Sequence, residues 1–213
     1  ENFYGMFGYC YDFNQDISDW DTSSAITMRS MFSSASTFNQ DISDWDISRV
    51  TDISWMFQNA SSFNQELGNW NTSQVNLMEG TFKLTPFNGN ISSWDVSKVT
   101  SMFQMFFGAN SFNQDIGGWD VSNVVNMRDI FLNANTFNQN IGGWDVANVT
   151  NMMSMFNHAI LFNQDISGWD VSKVTDMKHM FENAYQFNQD ISGWDVSRVT
   201  SMYRMFLNAN SFN

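Results

Sequence analysis

The chain has one cysteine, one proline and two histidines in 213 residues, so it is poor in the residues that usually mark a reactive centre. A single cysteine, Cys10, excludes an internal disulfide framework. His158 and His179 fall at different places in the pattern described below, so no histidine-based site recurs. Basic residues are also scarce. Nine Lys and Arg face 22 Asp and Glu, giving a net charge of −13. Such a chain repels nucleic acid and anionic membrane surfaces and favours cations or cationic partners. No apolar run approaches the ~20 residues of a membrane-spanning helix. No signal peptide is visible, and the opening "ENFYGMFGYC" already reads as mid-repeat, which points to a piece of a longer array. Serine is plentiful, yet no nucleophile elbow or Gly-rich phosphate loop surrounds it. These absences argue against an enzyme.

Apolar and aromatic residues are abundant: 21 Phe, 9 Trp and 15 Met within a chain that is 43% hydrophobic, ample for a core. They recur in columns. A Phe-Asn pair begins at Phe13, Phe38, Phe63, Phe87, Phe112, Phe137, Phe162, Phe187 and Phe212, and every step is 25 residues except the 24 from Phe63 to Phe87. Trp20, Trp45, Trp70, Trp94, Trp119, Trp144, Trp169 and Trp194 keep the same beat, as does a second Phe column from Phe7 to Phe206. The short step, "TFKLTPFNGNIS", contains Pro86 and reads first as a tolerated loop deletion, with a functional kink as the alternative. A fixed period of this length is the signature of stacked units, each of which buries its apolar face only against its copy.

Val174, Met177, Met180, Phe181 and Ala184 are spaced as one face of a helix. Asp170 and Ser172 precede them as capping residues, and the position before the Ala is often Asn or Gly, as at Asn59, Gly108, Asn133, Asn183 and Asn208, which accept the left-handed conformation that ends a helix. The other half, "NQDISGWDVS", reads as a short strand or two joined by a bend. The expected fold is a right-handed α/β solenoid, a leucine-rich-repeat-like stack of about nine 25-residue coils, each a short strand plus a short helix, forming one domain over residues 1–213. Cys10 sits at the small Ala position and is expected to be a buried, inert thiol.

Two acidic columns carry 13 of the 22 carboxylates. One holds Asp16, Asp41, Glu66, Asn90, Asp115, Asn140, Asp165 and Asp190; the other holds Asp21, Asp46, Asn71, Asp95, Asp120, Asp145, Asp170 and Asp195. Capping of the following helix by the carboxylate after Trp is the plainer reading. Calcium bridging between coils is the sharper one, with Asp115, Asp165 and Asp190 and Asp120, Asp145, Asp170 and Asp195 as the ligands. No other cofactor is implied. The Asn-Gln pair after each Phe is expected to bond the neighbouring coil's backbone, with sugar recognition as the alternative. The variable positions, among them Arg49, Gln74, Lys98, Asn123, Asn148, Lys173 and Arg198, and Asp176, Lys178, His179 and Glu182, read first as plain solvated surface, with binding specificity as the alternative. Four glycosylation sequons occur, at Asn59, Asn71, Asn90 and Asn148.

The stretch "FNQDISGWDVSKVTDMKHMFENA" resembles the BspA-type bacterial surface repeat, a leucine-rich-repeat-like unit abundant in mycoplasma surface lipoproteins, and the resemblance covers essentially the whole chain. It departs most at "NTSQVNLMEGTFK", where Thr81 replaces the Met before Phe82. The resemblance implies an extracellular or cell-surface module for adhesion, binding a protein or glycan on another cell or matrix, with no catalytic residues. The rival is a structural subunit that self-assembles through open ends into a filament or surface coat.

Overall fold

A computed structural model describes residues 1–213, and it contains no helix and no extended strand. Its ladder is one parallel bridge per coil, running Asn2, Thr27, Asp52, Leu77 and, after a gap, Ser101, Asn126, Asn151, Asp176, Ser201. The expected α/β solenoid of strand-plus-helix coils is therefore corrected. Neither the helix expected from Val174 to Ala184 nor the strand expected in "NQDISGWDVS" forms. No helix is long and apolar enough to cross a membrane.

Each coil is a chain of tight turns. From Met28 to Val50, turns close from Met31 N–H to Met28 O, Ser33 to Ser30, Ala35 to Phe32, Phe38 to Ala35, Trp45 to Ile42 and Val50 to Ile47. The intervening N–H groups of Ser30, Phe32 and Ser34 cross to the carbonyls of Ser54, Met56 and Gln58 in the next coil. A helix would spend those N–H groups internally and leave none for the neighbour. It would also hold adjacent coils about 8–10 Å apart. Here the Phe columns repeat every 5.5–6.2 Å, a spacing only a thin turn ribbon can match. Successive i→i+3 turns also return apolar residues every three or four positions, which is why the segment's spacing imitates a helix.

Two residues per coil adopt a left-handed backbone. One column runs Gly5, Ser30, Trp55, Gly80, Gln104, Asp129, Ser154, His179, Arg204; the other runs Tyr9, Ser34, Asn59, Leu84, Gly108, Asn133, His158, Asn183, Asn208. All but Gly80 and Leu84 lie third in a backbone hydrogen-bonded turn, where type II turns require positive φ. The expected left-handed Asn/Gly position is thus present, but it belongs to a turn rather than a helix end.

The core is one cluster of Phe, Met, Trp, Ile, Val and Ala columns. Within each coil two Phe rings stack face to face, with centroids 3.8–4.1 Å apart, as in Phe82–Phe87 and Phe206–Phe212. The backbone bonds crossing between coils come from the second half of the repeat; from Phe38 to Val50 there are none. That half is joined by side chains. Trp Nε1 donates to the Ile or Leu carbonyl of the preceding coil at every junction from Trp45–Ile17 to Trp194–Ile166. Asn Oδ1 accepts the next Asn N–H at every step from Asn14–Asn39 to Asn188–Asn213.

Removing one ring should open a void across two junctions. Phe131→Ala, at a fully buried position, is expected to lower unfolding stability by about 3–5 kcal/mol in urea denaturation. A loss below about 1 kcal/mol would show that the Phe pairs do not carry the stack.

Candidate functional site

The constant polar residues are consumed by the fold. In the first acidic column Asp16, Asp41, Asp165 and Asp190 each accept the N–H of the serine two residues on, and Asp115 accepts that of Gly117. In the second, Asp21, Asp46, Asp95, Asp120, Asp170 and Asp195 do the same with serine and Asp145 with Ala147. The expected capping role holds in kind, but what is capped is a turn. Asn71, Asn90 and Asn140 make the same bond through a neutral amide. The bond therefore forms with a neutral oxygen as well as with a charged one. Asp115, Asp165, Asp190, Asp120, Asp145, Asp170 and Asp195 are all exposed, and no three acidic, His or Cys side chains converge in a group that could hold a metal ion.

The Asn-Gln column works as the structural reading expects, with Gln40, Gln65 and Gln189 also donating to the preceding coil's Asn. Of the sequon residues, Asn71, Asn90 and Asn148 are exposed and Asn59 is half-buried. Asn148 is engaged at both ends, donating to Ser122 O and accepting from Lys173 Nζ. Cys10, expected to be buried, is exposed. The column at Arg49, Gln74, Lys98, Asn123, Asn148, Lys173 and Arg198 is exposed, with Lys98 and Lys173 donating to the amide one coil back.

The outward surface of the backbone-paired half is different. Asp176, Lys178, His179 and Glu182 lie there together, on turns rather than on a helix, with a Lys178–Asp176 ion pair and a His179–Glu182 contact. Midway along the stack is a group that the repeat pattern does not single out. Trp55 rests on Gly80, where a Cβ would fall 2.0 Å from its ring, and meets Phe103 edge-on at 6.1 Å. Lys83 Nζ lies 5.6 Å from the Trp55 ring centroid and 4.8 Å from that of Phe107. It donates to Gln104 Oε1 at 2.7 Å; Gln104 donates to Asp129 Oδ2 at 3.1 Å, and Arg128 pairs with that same oxygen at 3.2 Å. The signal was present: Trp55 is the one Trp outside the Trp column, and Phe103 and Phe107 lie outside both Phe columns.

The acidic columns carry a pH dependence. The Ser23 hydroxyl at 2.6 Å and its N–H at 3.0 Å hold the Asp21 carboxyl below the ordinary 3.8, and Ser97 does the same for Asp95. At Asp16 the Ser18 N–H leads and its hydroxyl follows. Repulsion from Asp21 on Asp46, and from Asp95 on Asp120, acts the other way and is outweighed by the serine bonds. A lowered folded value stabilises the fold above the unfolded pKa, and that contribution is lost as pH falls through the folded value. The urea midpoint is therefore expected to be flat from neutral pH down to about 5 and to fall below about 4. A midpoint rising on acidification would mean that column repulsion dominates. In a second test Asp120→Asn, which keeps the oxygen and loses the charge, should lower the midpoint less than Asp120→Ala, which loses both and should cost up to about 1 kcal/mol; an equal loss in both would mean that a neutral oxygen does not replace the carboxylate.

A family model described as a Mycoplasma protein of unknown function, DUF285, matches residues 1–86, 67–160 and 139–213. No curated protein and no solved structure matches the chain. The three matches are tandem and together tile all nine Phe pairs, as a stack of like coils requires; the chain belongs to the DUF285 repeat family.

Proposed function

We propose that this chain is a non-enzymatic binding module of the BspA-like kind, displayed at a cell surface, and that it holds a protein or glycan partner on the outward surface of its backbone-paired half. One observation carries this reading. The first left-handed column contains Trp55, Gln104, Asp129, His179 and Arg204. A left-handed backbone costs an L-residue about 1–2 kcal/mol, and Gly avoids it. The second left-handed column meets that demand with Asn at four positions and Gly at a fifth. In the first column Gly occurs only at Gly5 and Gly80 and Asn not at all. The backbone there would be better served by other residues, so these side chains are retained for the surface they build. The aromatic and Arg types among them are those that dominate binding energy at interfaces.

The test separates scaffold from surface. Beads coated with the chain are allowed to settle on epithelial cells and on matrix-coated glass. The triple variant Gln104→Gly, His179→Gly and Arg204→Gly should keep or raise its urea midpoint and lose adhesion. Adhesion that survives this variant but disappears when Asp120, Asp145 and Asp170 are changed to Asn would place binding on the acidic side and overturn the reading.

A further inference from the structure

The irregular step is resolved in the structure as a notch. Regular coils have two residues between the Ala column and Phe, such as Ser61-Ser62 and Asn110-Ser111; this coil has only Pro86 between Thr85 and Phe87. The Thr85 hydroxyl donates to Phe82 O at 2.8 Å, the carbonyl that an Ala N–H reaches in other coils. The next turn, which in a regular coil runs from Phe63 N–H to Ala60 O, is closed here with one residue fewer by Phe87 N–H donating to the same Thr85 hydroxyl at 3.4 Å. The missing residue leaves an open concavity of about 310 Å³ lined by Ser61, Leu84, Pro86, Gly108, Asn110 and Ser111. Leu84 lies over Gly108, where a Cβ would stand 2.5 Å from Leu84 Cδ2. Through Lys83-Leu84 and Phe107-Gly108 the notch is continuous in chain with the Trp55, Phe103 and Phe107 cluster. Ser54, preceding Trp55, carries the one buried side-chain polar atom without a hydrogen-bond partner.

We infer that the Pro86 notch and the adjoining Trp55–Phe103–Phe107 cluster form a glycan-binding site, one sugar unit seating in the notch and its neighbour stacking on an aromatic ring. This rests on the binding-module reading. The lining chemistry selects a sugar over a peptide. A protein anchor needs a closed apolar pocket to desolvate it, whereas this notch is open and its rim is hydroxyl and amide, from Ser61, Asn110 and Ser111. A sugar presents the complementary mixture: hydroxyls for that rim and for Lys83 and Gln104, and C–H edges for the electron-rich faces of the rings. Local charge cancels, Lys83 and Arg128 against Glu79 and Asp129, so the ligand need not be ionic. Lys83 is held by Gln104 and two rings and has no carboxylate within salt-bridge distance, which leaves its ammonium available to ligand oxygens.

The intact chain is applied to an array of immobilised neutral and acidic oligosaccharides. A group of related glycans should bind, and binding of the soluble glycan should shift the emission of Trp55, one of only two tryptophans that are not buried. Trp55→Ala should weaken binding about tenfold or more. Insertion of one Ser after Pro86, restoring the 25-residue step, should do the same by filling the notch. Both variants should keep the wild-type urea midpoint; if Trp55→Ala does not, Trp55→Phe replaces it and should abolish the emission shift while retaining part of the affinity. A blank array, or binding indifferent to both changes, overturns the inference. If beads still adhere to cells stripped of glycans by glycosidases, the occupant is a protein, and the binding-module reading stands without the glycan.

Discussion

Every N–H in the backbone-paired half of a coil must be spent either within the coil or on its neighbour, and the alternation between the two fixes everything else. Met31, Ser33 and Ala35 turn inward on their own coil; Ser30, Phe32 and Ser34 reach across to the next. The result is a ribbon one strand-spacing thick. The opposite half has no such crossing bonds and would splay if side chains did not hold it at the same spacing. Trp Nε1, Asn Oδ1 and, where present, the hydroxyls of Thr22 and Thr72 supply the missing cross-links. Trp therefore acts twice, as buried apolar mass and as a hydrogen-bond donor, and a Phe in its place could do only the first.

The columns, their period and the single irregular step are legible in the sequence because stacking demands identity at buried positions. The turn-stabilising role of the acidic columns is legible too, since Asp-x-Ser favours an Asx bond whatever follows it. The secondary structure is not. Met177, Met180, Phe181 and Ala184 satisfy a helical face and a series of turns equally, and only the spacing between coils, which no single repeat encodes, decides between them. The second left-handed position is hidden for a related reason. Trp55, Gln104 and Arg204 are not residues that announce positive φ, and the column is forced by its neighbours rather than chosen by its own side chains. Of the candidate site, the variable positions are readable as variable and Trp55, Phe103 and Phe107 stand out as aromatics off their columns, but the approach of Lys83 to Trp55 and Phe107 joins three successive coils and cannot be read within one repeat.

Charge follows the same division. Thirteen carboxylates lie in the two Asx columns, and all nine cations lie elsewhere: Arg49, Lys98, Lys173 and Arg198 in one exposed column, and Arg29, Lys83, Arg128, Lys178 and Arg204 on the outward surface of the backbone-paired half. On that surface Arg29, Arg128 and Lys178 meet Asp52, Asp129 and Asp176. Most of the net charge is thus a property of one side of the stack, where the thirteen column carboxylates with Asp19 and Asp44 outnumber Arg49, Lys98, Lys173 and Arg198. The other side is close to neutral and richer in outward aromatic residues. An acidic flank keeps such stacks soluble and apart by mutual repulsion, and it does so without placing a field across the neutral surface, since beyond about 8 Å physiological salt screens it.

That separation explains how the chain tolerates a lost residue in mid-stack. At Thr85 the hydroxyl makes the bond that a backbone N–H makes in other coils, and the Phe pair still stacks, Phe82 on Phe87 at 3.8 Å. The core does not register the deletion; only the surface does, as a concavity beside the one outward Trp cluster. A rigid ladder on both flanks holds that concavity open, so a ligand entering it orders little that is not already ordered. Preorganisation of this kind lowers the entropic cost of binding. A shallow site whose individual contacts are weak can thereby discriminate between ligands, since its geometry is fixed by the stack before the ligand arrives.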